Sequence, residues 1–175
     1  AFQGSTLCSK ESLLKKDGSP YLVYTPFWRN FLKQYEMAVE PKPSKLPLLP
    51  QNATSLGCSL DSLKLLPKQQ WYKKFDEFWQ PGEDQAHKKI KLFISKEILS
   101  YQLDRDKPYL RATSMLSPHF HFGELHPQRV LSLICKKYGP LNQISNPNII
   151  QFCKEILWRE FSYHLLQHFP QLPSK

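Results

Sequence analysis

The chain has 175 residues, room for one medium-sized domain, and its 41% hydrophobic and 13% aromatic content is ample for a core. Basic residues outnumber acidic ones 24 to 15; the resulting +9 favours a polyanion or an anionic cofactor, and fits a merely basic protein equally well. No apolar run is long enough for a transmembrane helix and no signal peptide is visible, so no membrane association is expected. Four scattered cysteines with no C-x-x-C read as reduced thiols of an intracellular protein. The opening Ala1-Phe2-Gln3-Gly4 has no starting Met and reads as the middle of a longer protein.

Residues 1–19 are polar and irregular, ending in the turn Asp17-Gly18-Ser19-Pro20. Thr25 suits an N-cap with Pro26 at the first helical position, which predicts a helix over Pro26–Glu36 with Phe27, Trp28 and Phe31 on its apolar face. From Glu40 to about Gln70, Pro41, Pro43, Pro47 and Pro50 space out an extended linker. Pro81-Gly82 is a turn, and Glu83 and Asp84 suit the first turn of a helix over Glu83–Tyr101. Ala86, Ile90, Phe93, Ile94, Ile98 and Tyr101 share one side of it.

Thr113, Ser114 and Ser117 bunch their hydroxyls at a turn, with Pro118 ready to start a short helical turn over Ser117–Phe122. Such a turn offers hydroxyl and backbone N–H donors to a phosphate, or serves as an ordinary cap. His119 and His121 have the spacing of a chelating strand pair, but no further ligand recurs at usable spacing, so no metal site is expected. Pro127–Tyr138 is an amphipathic helix closed by Gly139. Asn146 and Pro147 open a last helix, Pro147–His168, which Pro170 closes. Its apolar stripe is Ile149, Ile150, Phe152, Cys153, Ile156, Leu157, Phe161 and Leu165. A second face carries Glu155, Trp158, Arg159 and Ser162 as neighbours. Spacing alone reads that face as a surface Glu–Arg pair beside a core Trp.

The wording of these stretches adds a resemblance. Glu155-Ile156-Leu157-Trp158-Arg159-Glu160-Phe161 resembles the E-L-[IL]-W-R-E-F-[YF] segment of the DNA photolyase/cryptochrome flavoproteins. Tyr101, Arg105, Asp106 and Pro108, followed by Thr113-Ser114-Met115-Leu116-Ser117-Pro118 and Phe122-Gly123-Glu124-Leu125-His126-Pro127, resemble that family's flavin-binding signature. Pro20-Tyr21 through Thr25-Pro26-Phe27-Trp28-Arg29, and Trp79-Gln80-Pro81-Gly82-Glu83, are similar to two further family segments. The resemblance implies an all-α fold, the N-terminal half of the photolyase FAD-binding domain behind a Pro-rich connector. Residues 1–74 would be the end of an α/β domain and the interdomain connector, and 75–175 the first part of the helical domain.

It also implies roles. Thr113, Ser114, Met115, Leu116 and Ser117 would line the pyrophosphate of FAD, with Tyr101, Phe152 and Arg159 at the cofactor. Arg105 would meet a DNA phosphate, with Arg159 and Ser162 also on the DNA side. Glu155 would hydrogen-bond the lesion bases and Trp158 would stack on them, as the catalytic pair. Met115 departs from the usual Arg or Lys, and Phe152 from a common Trp. The implied activity is light-driven splitting of cyclobutane pyrimidine dimers in ultraviolet-damaged DNA by electron transfer from reduced FAD. A folate or deazaflavin antenna chromophore is implied in the full-length protein, as are a monomeric state and a bacterial, nucleoid-associated cytoplasmic location. Glu155 is typical of dimer photolyases, whereas cryptochromes and (6-4) photolyases more often carry Gln. The chain reads as an internal fragment, inactive by itself. Two other readings stand beside this one: a cryptochrome-type light receptor without repair, and a cofactor-free basic DNA-binding helical module.

Overall fold

The computed structural model describes residues 6–9, 11–36 and 57–174. The chain divides into two compact units, one built from its two terminal stretches (Ala1–Ala38 and Pro81–Lys175) and one from Val39–Gln80. The smaller unit shows two 3-10 helices among its described residues, Leu60–Leu63 and Trp71–Glu77. Most of the expected extended linker, residues 40–56, lies outside the described residues.

The larger unit is helical. Its helices are α1 (Tyr24–Gln34), α2 (Glu83–Ser95), α3 (Tyr101–Asp104), α4 (Ser117–His121), α5 (Pro127–Tyr138) and α6 (Pro147–His168). No strand forms among the described residues; the extended backbone there pairs at one isolated bridge, Leu14 with Pro20. One core collects Phe27 and Phe31 of α1, Ile90 and Phe93 of α2, Val130, Leu131 and Ile134 of α5, and Ile149, Cys153 and Leu157 of α6.

Two helices begin and end where local chemistry puts them. Asn146 Oδ1 accepts from the N–H groups of Asn148 (2.9 Å) and Ile149 (3.4 Å), with Pro147 at the first helical position of α6. His126 Nδ1 accepts from Gln128 N–H at 3.1 Å to open α5. Gly139 closes α5 at φ +92°, its N–H donating to the Cys135 carbonyl at 2.9 Å.

Two other helices differ from expectation. The first begins at Tyr24, with Val23 as a cap that makes no side-chain hydrogen bond, so Thr25 and Pro26 sit inside the helix. Tyr24 is drawn into that first turn by its own contacts on α6, described below. The helix expected to run from Glu83 to Tyr101 stops at Ser95, passes through a 3-10 turn at Glu97–Leu99, and resumes as α3. The cause lies on α5. The Ile94 carbonyl would accept the N–H of Ile98 in a continuous helix; here it accepts the Tyr138 hydroxyl (2.8 Å) and the Lys137 ammonium (3.1 Å). Ser95 adds a competing bond from its hydroxyl to the Leu92 carbonyl at 2.7 Å. Ile98 and Tyr101 stay buried, so the break changes the path of the backbone while keeping the apolar register.

The irregular stretch before α1 is fastened to α6. Glu160 Oε1 accepts from the N–H groups of Leu7 (2.8 Å) and Cys8 (3.0 Å), and His164 Nε2 accepts from Tyr21 N–H at 3.1 Å. Within it, Asp17 accepts from Ser19 N–H and Gly18 adopts φ +78°, which makes the expected turn.

Candidate functional site

Helix α6 carries the acid and the indole of the site one turn apart. Asn148 at its start accepts from Gln102 N–H at 2.9 Å, which seats α3 on α6 and brings the residue after α3, Arg105, over Glu155. Glu155 Oε1 accepts from Arg105 Nη1, fifty residues away, and from Gln151 Nε2 at 2.8 Å, one turn back. Arg105 also lies 5.4 Å from the centre of the Tyr101 ring and 3.3 Å from Asp106 Oδ1. The bond to Glu155 holds the guanidinium proton more firmly than usual. Tyr101 is buried with its ring edge against Phe93 and Phe152, and burial raises its phenol pKa against the pull of Arg105.

Trp158 stands on the next turn. It is 45% exposed, so it is not the core Trp that spacing alone predicts. Its ring lies parallel to that of Tyr24, 3.8 Å between centres and 10° between planes, and both rings rest on Phe161. The Tyr24 hydroxyl donates to the Lys154 carbonyl at 2.8 Å. Burial, with Glu155 nearby, pushes the Tyr24 pKa far above its ordinary value, so it remains a donor. Ser162 is exposed and donates back to the Trp158 carbonyl at 2.9 Å.

The hydroxyl-bearing turn runs into α4. Thr113 and Ser117 are exposed, Ser114 is half-buried, and Leu116 is buried as its anchor. Met115 takes the left-handed region at φ +52° with its side chain 54% exposed. The five residues of α4 are too few to build a strong helix dipole, so attraction for an anion there rests on hydroxyls and open N–H groups. This element and α6 meet where the Arg159 guanidinium lies 5.8 Å from the Phe120 ring centre; it also lies 4.8 Å from that of Tyr163. Burial and the Arg159 charge depress the His126 pKa.

Of the residues singled out in the sequence, the fold joins Arg105, Glu155 and Tyr101, with Phe152 packed behind them between Phe93 and Tyr101. Trp158 and Ser162 continue the same face, and Arg159 turns toward α4. Arg105, expected at a DNA phosphate, is already bound to Glu155. Sequence reasoning missed Tyr24 and Gln151. Gln151 was open to discovery, since it lies four residues before Glu155. Nothing in the spacing joins residue 24 to residue 158. His119 is buried with Nδ1 2.6 Å from Glu124 Oε2, and Glu124 Oε1 accepts from Gly82 N–H at 2.8 Å, which ties α4 to the start of α2. Among the described residues no group of three His, Cys, Asp or Glu side chains is placed to hold a metal ion, and no helix is long and apolar enough to cross a membrane.

No protein-family model matches the chain. It is 40% identical over 176 residues to a deoxyribodipyrimidine photo-lyase of Agrobacterium fabrum, covering 100% of this chain and 36% of the relative. A protein of the same name from Synechococcus is 31% identical over 172 residues, covering 95% and 35%. Among solved structures, a bacterial class III photolyase from Agrobacterium tumefaciens matches with a TM-score of 0.80 and 40% identity over 98% of this chain and 35% of that one. The chain therefore spans about a third of the length of these relatives. Sequence and backbone agree with these photolyases over almost every residue of this chain.

Proposed function

We propose that the full-length protein containing this chain is a deoxyribodipyrimidine photolyase, a lyase that uses light to split cyclobutane pyrimidine dimers in DNA. The observation that carries the reading is the pairing, on one face of α6, of a side-chain-bound carboxylate at Glu155 with a half-exposed indole at Trp158. A pyrimidine dimer has puckered apolar rings and polar edges. An aromatic wall and one acceptor group a turn apart meet both, and a dimer stacks poorly in its duplex, so extruding it costs less than extruding a normal pair.

The residues divide the work. Trp158 offers the stacking face and Glu155 the acceptor for base edges. Arg105 orients that carboxylate, and near DNA its remaining N–H donors suit a backbone phosphate. Ser162 and Arg159 extend the polar face. The net charge of +9 draws the polyanion in without reading its sequence.

FAD is tested against the turn at 113–117. Two of its three hydroxyls are exposed and the third half-exposed, on a backbone held open by the left-handed Met115, a donor set that suits a pyrophosphate. Thr113, Ser114 and Ser117 would hold it by hydroxyls, Met115 and Leu116 by backbone, with Tyr101, Phe152 and Arg159 on the ring side. Bound there in reduced form, FAD would supply on photoexcitation the electron that splits the dimer and would take it back once the two bonds have broken. Met115 contributes no charge to the diphosphate. On this reading residues 1–74 close an α/β domain and connect it to the helical domain begun at 75–175. The α/β domain would hold a folate or deazaflavin antenna, and the protein would act as a monomer on DNA in the bacterial cytoplasm.

The test is light-dependent restoration of an oligonucleotide carrying one thymine dimer by the full-length protein. Repair under blue or near-ultraviolet light and none in the dark is expected. A flavin photocycle with no repair would replace this reading with a light receptor.

A further inference from the structure

We infer that Tyr24 is a positioning residue for Trp158: it fixes the plane of the indole and leaves one face of it turned outward for a base. The inference rests on the reading that Trp158 stacks on the substrate.

Three contacts converge on two successive turns of α6. The Tyr24 ring covers one face of the Trp158 ring at 3.8 Å and 10°, close to van der Waals contact. The Tyr24 hydroxyl donates to the Lys154 carbonyl at 2.8 Å. In a regular helix that carbonyl is the acceptor for the N–H of Trp158 itself, and an sp² oxygen has two lone pairs. Tyr24 therefore grips both the backbone that carries the indole and the indole. Phe161 closes the third side, edge-on to Tyr24 (5.8 Å, 71°) and to Trp158 (5.9 Å, 74°).

The surface left on Trp158 is then accounted for. Trp158 is 45% exposed while Tyr24 stacks on one ring face and Phe161 meets it edge-on; on this inference the opposite face supplies that exposed surface. An unbacked indole on a helix surface samples several rotamers, and a base must select one of them at an entropic cost. Backing by Tyr24 removes that cost before the substrate arrives. It also explains why α1 begins at Tyr24 without a side-chain cap: the residue is held from α6 instead.

The experiment compares Tyr24→Leu, Tyr24→Phe and Trp158→Leu in the full-length protein. The readout is the ratio of dissociation constants for undamaged and thymine-dimer-containing oligonucleotides. Tyr24→Leu should cut the preference for damage about fivefold to tenfold while leaving affinity for undamaged DNA within about twofold. Tyr24→Phe keeps the ring and should rescue most of the preference. A merely structural role would lower both affinities together as folded protein is lost, and that result overturns the inference. Should Tyr24→Leu fail to fold, Tyr24→Met makes the same comparison with an unbranched chain that adapts to the space the ring leaves. Trp158→Leu separates the two levels. If it abolishes the preference while Tyr24→Leu and Tyr24→Met do not, the role of Tyr24 is wrong and the reading of Trp158 stands. If Trp158→Leu keeps the preference, the reading of Trp158 falls, and the inference with it.

Discussion

Two glutamates five residues apart on α6 have opposite surroundings. Glu160 is 4% exposed and accepts from two backbone N–H groups, those of Leu7 and Cys8; burial raises its pKa despite those donors. Glu155 is half-buried and is held by two side chains, Arg105 and Gln151. One acid is spent on the backbone of an irregular segment. The other is held by groups that can be exchanged for those of a ligand. The difference teaches that the same residue type on one helix divides into scaffold and site by what it bonds to.

The sharpest way to break that contrast is at the scaffold. Glu160→Ala strands two part-buried N–H donors and should cost about 2 kcal/mol in urea unfolding. Glu160→Gln keeps the accepting oxygen and should cost only about 1 kcal/mol, because it sets an amide where the second oxygen has no partner among the described residues. On the site face, Trp158→Ala removes a half-exposed ring. It should lower affinity for dimer-containing DNA about tenfold or more by titration, while moving stability by about 1 kcal/mol.

The scaffold face also carries a titration. Burial and the neighbouring His168 depress the His164 pKa, so the ring is neutral and accepts from Tyr21 N–H, a bond that itself favours the neutral form. The unfolded chain takes up the proton first. The stabilisation is therefore present above about pH 6.5 and is lost as pH falls from there through the lower folded value. Between pH 7 and 5, after correction for intrinsic rate, exchange of the Tyr21 amide hydrogen should quicken about tenfold, and His164→Gln should flatten that dependence. Smallest of all, Met115→Lys restores a cation beside the proposed diphosphate, and should tighten FAD about twofold at low salt by equilibrium dialysis.

How much of this was legible in the sequence follows the range of the forces. Helices α5 and α6 keep their expected limits because Asn146, Pro147, Pro127 and Gly139 act on their own neighbours. The break after α2 was hidden, since Lys137 and Tyr138 impose it from more than forty residues away. Motif wording singled out Glu155, Trp158 and the hydroxyl turn. It gave no role to Glu160, whose partners lie in a stretch with no periodicity, or to Tyr24, which precedes the expected helix. The pairing of Arg105 with Glu155 also escaped it, because a motif assigns each residue a role without saying which of them meet.

The central claim is that Glu155 and Trp158, not the buried polar face of α6, read the damaged bases. Its most direct test is the ratio of Kd for undamaged and thymine-dimer oligonucleotides in Glu155→Ala and Glu160→Gln proteins. The account predicts that Glu155→Ala lowers this preference about tenfold, a carboxylate's hydrogen bonds being worth that much, while Glu160→Gln leaves it unchanged. A Glu155→Ala protein that keeps its full preference for damaged DNA, or a Glu160→Gln protein that loses it at unchanged folded fraction, would contradict the account.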